Sequence, residues 1–387
     1  MSRTSSPTIS HRLQFVLYRS FEGVLALMSL ETSYKVGEFI GRIAHHLLKK
    51  RRDQVIRNIT YAFGDEKTAQ EIYNLSREVF ERCGANLLCS LRTPFLNDEE
   101  ILKHLSFEGL DDLLIEAEKG GIVLVSPHMG NWEILAQAVF LTKEKMAVGT
   151  HYRPLNNSLI NEIVEHRRTR RGLQLFPKHA STHRLISFVR DGGGMGILAD
   201  QRVGSRGIAG TFFGRPTTLS PLPHLIAKRA KAQLMRLICE TTSPCQWKVS
   251  FTPITEISAQ ACANSLEEAW RHSPADVFWF EDRWRIQGKD PLKFLDKYTE
   301  HSGVTRPLRL VNLVGGAGAL PHPASIITQE NATLDFSLDD ATLTQALDEI
   351  KQRGPVAPDV YICPPEHSAR LKKLSLKTQI LSVSAAP

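Results

Sequence analysis

A chain of 387 residues exceeds one average domain, and 42% hydrophobic with 23% charged residues can bury a sizeable core, which excludes global disorder. Its 48 Lys+Arg against 41 Asp+Glu leave a net charge of +7, a mild basic excess that suits a membrane lipid, a phosphorylated substrate or an acidic carrier protein, with nucleic acid left open by charge alone. Six cysteines, Cys83, Cys89, Cys239, Cys245, Cys262 and Cys363, lack CxxC or Cys/His ligand spacing and read as free thiols of a reducing compartment, implying neither zinc nor a disulfide framework.

Residues 1–10 are rich in Ser, Thr and Pro and are expected to fray. From Leu13 to Leu48 apolar residues recur at helical spacing, predicting two helices broken near Glu31-Thr32-Ser33 and followed by the basic cluster Lys49-Lys50-Arg51-Arg52. An apolar stripe ending in cations suits a chain lying on an anionic membrane face; two helices packed on a globular core are the plainer alternative. Arg19 and Glu22 interrupt the stripe, no cleavage pattern follows, and no uncharged run reaches the 18 or so residues of a spanning helix. Residues 53–90 continue helical, with Tyr73, Val79, Phe80, Cys83, Leu87 and Leu88 as an expected buried stripe, and Pro94–Asp98 breaks the run.

The centre of the chain is Ile122–Leu135: an apolar run ending in Ser126-Pro127, then His128, a Gly130-Asn131 turn and helical spacing after Trp132. This reads as strand, His-bearing loop and helix. On one continuous helix His128 and Glu133 would point about 140° apart, whereas a loop followed by a first helical turn can bring them together. Such a pair makes a general base, the carboxylate fixing the imidazole tautomer. A buried structural His beside a Glu favoured by a helix start is the bland alternative. Beyond it, helices over 131–142, 157–171, 182–191 and 220–231 alternate with strands over 145–151, 173–176, 194–199, 233–240 and 247–254. The alternation predicts an α/β fold, a largely parallel or mixed central sheet flanked by helices, with sites at strand ends.

Four further constellations fall at strand ends: His151-Tyr152-Arg153-Pro154, the basic run His166–Arg171 closed by Gly172, Asp200-Gln201-Arg202, and Phe212-Phe213-Gly214-Arg215-Pro216. Most of the basic run suits a solvated helix end, with one or two arginines left to bind phosphate. Phe212 and Phe213 either line an acyl groove or plug the core. Residues 273–286 read as a capped amphipathic helix dense in aromatics that seals the core or meets a membrane interface.

Taken in order, Arg57-Asn58-Ile59, Tyr61-Ala62-Phe63, Ser126-Pro127-His128 with Gly130-Asn131-Trp132-Glu133, Tyr152-Arg153-Pro154, Arg171-Gly172, Asp200-Gln201, the Phe212–Pro216 loop and Trp279–Trp284 resemble the bacterial lipid A biosynthesis acyltransferases, the lauroyl/myristoyl transferase group of the lysophospholipid acyltransferase superfamily. The resemblance covers roughly residues 13–290. It implies O-acyl transfer from an acyl carrier protein thioester, or less often acyl-CoA, to a hydroxyl of an anionic glycolipid at the cytoplasmic face of the inner membrane. No metal, cofactor or nucleic acid is called for. His128 would be the base and Glu133 its orienting carboxylate; Asn131, Arg153, Arg171, Asp200 and Gln201 would bind substrate or steady the oxyanion.

The implied organisation is an N-terminal membrane-associating helical segment (1–52), an acyltransferase domain (53–300) and a small C-terminal α/β appendage of unassigned role (301–387). In the appendage, 307–314 is an apolar run, Gly315–Ala319 a Gly-rich turn, 341–353 a helix and Val360-Tyr361-Ile362 a strand. Pro321 and Pro323 follow where a dinucleotide-binding helix should open. Alternatives are a same-fold acyltransferase with another lipid or polyene acceptor, a non-catalytic membrane or carrier-protein module, and a metal hydrolase using His128, Glu133 and His151, for which HExxH-like spacing is missing. A serine hydrolase lacks its G-x-S-x-G elbow.

Overall fold

The computed structural model describes residues 8–203, 207–284, 308–313, 327–352, 358, 360–374 and 379–382. Side chains that take over the first backbone donors set where its helices begin. Thr8 accepts from the His11 amide and opens α1 (Ile9–Ala26). Ser29 accepts from the Thr32 amide, so α2 (Leu30–Leu47) starts there and Glu31–Ser33, the expected break, lie inside its first turn. The basic cluster at Lys49 opens α3 (Lys49–Phe63), and α4 (Ala69–Arg92) follows. A reciprocal Asn97–Glu100 capping box opens α5 (Asp98–Lys103). On α4, Val79, Phe80 and Leu88 are buried as expected, but Tyr73 and Leu87 are exposed.

The chain divides into two compact units. The first comprises residues 1–44, 78–200 and 221–278. Its seven-stranded sheet contains β1 (Leu105–Glu108), β2 (Ile122–Ser126), β3 (Val148–Tyr152), β4 (Gln174–Pro177) and β5 (Gly194–Leu198), with β8 (Gln233–Ser243) and β9 (Gln246–Pro253). The order is β1-β9-β8-β2-β5-β3-β4, and only the β8–β9 pairing is antiparallel, so the sheet is mixed and mostly parallel. The helices α6 (Leu110–Lys119), α7 (Ile134–Ala138), α8 (Ser158–Thr169), α9 (Thr182–Arg190), α10 (Leu222–Ala230) and α11 (Ala259–His272) alternate with the strands. β2 sits in the middle with all five residues buried, which explains its unbroken apolar run. The expected helix over 131–142 is shorter, with a 3-10 turn over Val139–Leu141 continuing α7.

The second unit comprises 45–77, 201–220 and 279–387. In it, β6 (Ile208–Phe212) and β7 (Arg215–Leu219) form a hairpin, and Phe212 and Phe213 are both buried, the plug rather than the groove. Phe213 rests edge-on against Phe63, and Trp284 donates to the Phe212 carbonyl at 2.9 Å. Of the helix expected over 273–286, the described part, up to Trp284, is not α-helical: Pro274–Asp276 make a 3-10 turn and the chain runs on to Trp284 without an α-helix. Its backbone carbonyls are satisfied by side chains instead, Asn58 donating to those of Trp279 (2.8 Å) and Glu281 (2.6 Å), and Gln54 to that of Phe280 (2.6 Å). Trp279 and Trp284 are buried and seal this unit's core.

A four-stranded parallel sheet, β11-β10-β12-β13, lies within the same unit: β10 (Leu308–Asn312), β11 (Ile327–Asn331), β12 (Val360–Cys363) and β13 (Gln379–Ser382), with α12 (Asp340–Gln352) and α13 (Ser368–Leu374). The Gly315–Ala319 turn lies outside the described residues.

Backbone-to-backbone contact fixes one helix crossing in the first unit. A Cβ on Gly84 of α4 would stand 2.2 Å from the Gly37 carbonyl oxygen of α2, and one on Gly41 would stand 2.1 Å from that of Phe80. Gly84→Val should therefore force the helices apart and lower stability by about 1–3 kcal/mol, read from the denaturation midpoint. Gly23 on α1 has nothing within 4 Å of an added Cβ. Gly23→Ala should be neutral or stabilising by up to about 1 kcal/mol in the same measurement.

Candidate active site

The parallel pairing of β2 with β5 runs from Ile122↔Gly194 to Ser126↔Leu198, and the ladder continues as the Ala199 amide donates to the Ser126 carbonyl at 3.0 Å. Two residues past the last pair stand His128 and Asp200. The His128 amide donates to Asp200 Oδ2 at 2.8 Å, and His128 Nδ1 lies 2.7 Å from Asp200 Oδ1. One carboxylate thus holds both the backbone and the ring. Asp200 is buried, while the His128 side chain keeps 18% exposure. An ionised carboxylate only accepts, so Nδ1 carries the proton and Nε2 the lone pair, the tautomer of a base.

The carboxylate on Nδ1 is therefore Asp200 and not Glu133, the expected partner if a loop followed by a first helical turn brought the two together. Glu133 stands immediately before α7, and its hydrogen bonds go to Arg168 on α8, with Arg168 Nε donating to Oε2 at 2.9 Å and Nη2 to Oε1. Burial acts to lower the Arg168 pKa, but the Glu133 charge and hydrogen bond outweigh it and raise it. Between the two residues the chain turns at Gly130 (φ 57°), where a Cβ would meet the Cys239 carbonyl oxygen at 2.2 Å. This turn belongs to a pairing with residues 276–278: the Gly130 amide donates to the Asp276 carbonyl (3.0 Å), that of Phe278 to the His128 carbonyl (2.9 Å), and Met129 bridges Val277. The Trp132 ring meets His128 edge-on at 5.4 Å and Phe278 at 5.9 Å.

The loop borders a cavity of about 410 Å³, within the ~300–1,000 Å³ of ligand pockets. Its apolar lining includes Leu87, Leu91, Leu155, Val164 and Phe278, which accounts for the exposure of Leu87 on α4. Asn131, Glu133, Arg167 and Arg168 add the polar groups. Asn131 is 1% exposed, and neither its Oδ1 nor its Nδ2 finds a partner among the described residues.

The other expected residues scatter. Arg153 is exposed just past β3. Arg171 is occupied by structure, donating to Asp98 (2.6 Å), to the Leu96 carbonyl (2.8 Å) and to Gln137. Gln201 follows Asp200 and begins the 201–220 segment, which belongs to the second unit. The residue missed was Arg168, one of five arginines and histidines at the end of α8, where composition offers no way to choose among neighbours. His151, on β3, has its pKa lowered chiefly by burial. Among the described residues no three His, Cys, Asp or Glu side chains are grouped to hold a metal ion.

The sequence matches the profile of the bacterial lipid A biosynthesis acyltransferases over residues 4–286. It is also 23% identical over 267 residues to a lipid A biosynthesis acyltransferase of Haemophilus influenzae, an alignment covering 66% of this chain and 82% of that protein. A strand-end histidine held by a buried carboxylate, on a loop that goes on to border an apolar cavity, suits acyl transfer to a hydroxyl, and with a match spanning most of its length the chain belongs to the bacterial lipid A biosynthesis acyltransferase family and is an O-acyltransferase.

Proposed function

We propose that this acyltransferase moves a fatty acyl group from an acyl carrier protein thioester, or acyl-CoA, to a hydroxyl of an anionic lipid A precursor or a related glycolipid. The observation that carries the reading is the His128–Asp200 pair, with His128 on the loop whose next residues, Gly130–Glu133, border the apolar cavity. His128 Nε2 takes the hydroxyl proton as the oxygen attacks the thioester carbonyl. Asp200 steadies the imidazolium, and the tetrahedral oxyanion collapses to the ester. The expelled thiolate then takes the proton back from His128. A thioester is already reactive, so a base and an oxyanion donor suffice. The unpartnered amide of Asn131 is the donor we assign to the developing charge. The cavity takes the acyl chain, Glu133 holds Arg168 at its wall, and exposed Arg153 is assigned to the acceptor phosphate.

We place the enzyme on the cytoplasmic face of the bacterial inner membrane, attached along its surface. Support comes from α1, whose Leu13, Val16, Leu17 and Val24 are exposed, from its C-cap Leu27, 90% exposed, and from exposed Phe39, Ile40, Ile43 and Leu47 on α2, ahead of the Lys49–Arg52 cluster. No described helix is long and apolar enough to cross a membrane. The net charge of +7 suits an anionic lipid surface and an acidic carrier protein alike.

The test is a mass-spectrometric transfer assay with acyl carrier proteins of mixed chain length and a lipid A precursor in detergent. Wild type should form product whose mass gives the chain length, and His128→Ala should form none while keeping its fold; a His128→Ala enzyme that still turns over removes the base assignment. In the same assay Asp200→Asn should lower kcat by roughly 10²–10⁴-fold, as expected for a lost tautomer-fixing carboxylate, and Glu133→Gln by about tenfold. The reverse order would return the orienting role to Glu133. In flotation with anionic vesicles the full chain should rise with the lipid, and Leu17→Glu/Leu27→Glu should cut the bound fraction at least several-fold, since each buried Leu contributes about 1.5–3 kcal/mol. Equal binding by the double variant would rule out attachment through α1.

A further inference from the structure

We propose that Asp276 is a positioning residue for this reaction, its buried carboxylate anchoring the segment Asp276–Phe278 that holds the His128 loop. The proposal rests on the reading of His128 as the base.

The Asp276 side chain is wholly buried. Oδ2 accepts from the Thr241 amide at 2.7 Å and from the Ser273 hydroxyl at 2.9 Å. Oδ1 accepts from the Thr241 hydroxyl at 2.7 Å and from Asn86 Nδ2 at 3.3 Å, with Arg82 Nη1 3.9 Å away. The orientation of Asn86 is settled by Trp247, whose Nε1 donates to Asn86 Oδ1 at 2.8 Å and so turns the amide nitrogen toward Asp276. Four donors converge on one group, and only an ionised carboxylate accepts from all of them without presenting a donor of its own.

Its anchors stand on α4 and β8, and what they hold is the partner of the His128 loop. From Asp276 to Phe278 the backbone accepts from Gly130, bridges Met129 and donates to His128. The Phe278 ring backs Trp132, which in turn meets the His128 ring edge-on. Asp200 fixes the imidazole from the β5 side, and the clamp fixes the loop from the other chain segment that pairs with it. With the carboxylate gone, Asp276–Phe278 is free to shift, and a misplacement of about 1 Å at a base costs roughly 10²-fold in rate.

The decisive experiment compares the wild-type full chain with Asp276→Asn, with Thr241→Val as a milder variant that removes one hydroxyl donor, and with Leu113→Ala as a core-destabilised control. Hydrogen exchange by mass spectrometry in peptides covering 127–132 and 276–279 is measured alongside kcat and KM for an acyl carrier protein donor. Asp276→Asn should exchange at least tenfold faster in both peptides and lose kcat by roughly 10- to 100-fold with KM changed less than threefold. Thr241→Val should move the same way by less, and it serves alone if Asp276→Asn does not fold. Leu113→Ala should lower the melting midpoint without either effect. Unchanged exchange overturns the clamp, and a kcat loss matched by Leu113→Ala at equal destabilisation overturns the positioning role. Should wild type transfer no acyl group from any donor, the acyltransferase reading fails on its own, while the exchange comparison still decides whether Asp276 holds the loop.

Discussion

The hydrogen bond between His128 and Asp200 exists because β2 and β5 are neighbours, parallel and in register, so that residues 72 apart in sequence leave the sheet side by side. Everything around the site serves that alignment. Pro127 has no amide to donate, and the amide of His128 is taken by the carboxylate that also holds its ring. A charge-assisted bond of this kind contributes about 1.5–3 kcal/mol, and the buried Asp200 would be costly without it. The same contact therefore stabilises the fold and sets the tautomer. Glu133, with its side chain about a quarter exposed and matched to an arginine, carries no comparable constraint on the ring.

Legibility of this architecture in the sequence followed the range of the interaction. The strand, loop and helix order around His128 and most of the alternation from 122 to 253 depend on local periodicity and turn residues, and they stand within a few residues of where those signals put them, except for the β6–β7 hairpin, where only a loop was expected. The partner of His128 depends on strand order, which periodicity does not encode. Asp200 was visible as a strand-end acid, but its identity as the ring's carboxylate required knowing that β5 lies beside β2. The segment after Ser273 shows the opposite error. Ser-Pro-Ala-Asp followed by aromatic residues carries the start signal of a helix, yet Asn58 and Gln54 satisfy its carbonyls without one, a tertiary override that no local reading detects. Arg57-Asn58 carry part of the resemblance, and in this unit Asn58 donates to the Trp279 and Glu281 carbonyls and Arg57 pairs with Asp282. Order along a chain does not say whether a residue faces substrate or core.

The charges on α1 are a polar interruption visible in the sequence whose reason lies in the fold. Arg19 and Glu22 break the apolar stripe, and that alone disfavours a spanning helix. Their physical purpose is docking. Glu22 is 1% exposed and paired with Arg167 of α8 through both carboxylate oxygens, while Asn157 donates to the His11 carbonyl at 2.9 Å. Burial acts to raise the Glu22 pKa, but the Arg167 and Tyr18 hydrogen bonds and the Arg167 charge hold it below the usual carboxylate range. The folded state thus favours the ionised form. This contribution is complete above the unfolded pKa of about 4.3 and is lost as pH falls through the depressed folded value.

That clasp also decides which face of α1 is left to the solvent. With Glu22 and Leu25 turned inward, helical spacing forces Leu13, Val16, Leu17 and Val24 outward, so the exposed stripe is the consequence of a buried ion pair on the opposite side. Tyr18 and Arg167, members of the clasp, line the cavity as well. A lipid surface meeting the exposed stripe would therefore bear on the same helix that forms a wall of the cavity. The clasp and the cavity wall thus share one helix, so the buried Glu22–Arg167 pair sets both the exposed stripe and the position of Tyr18 at the cavity.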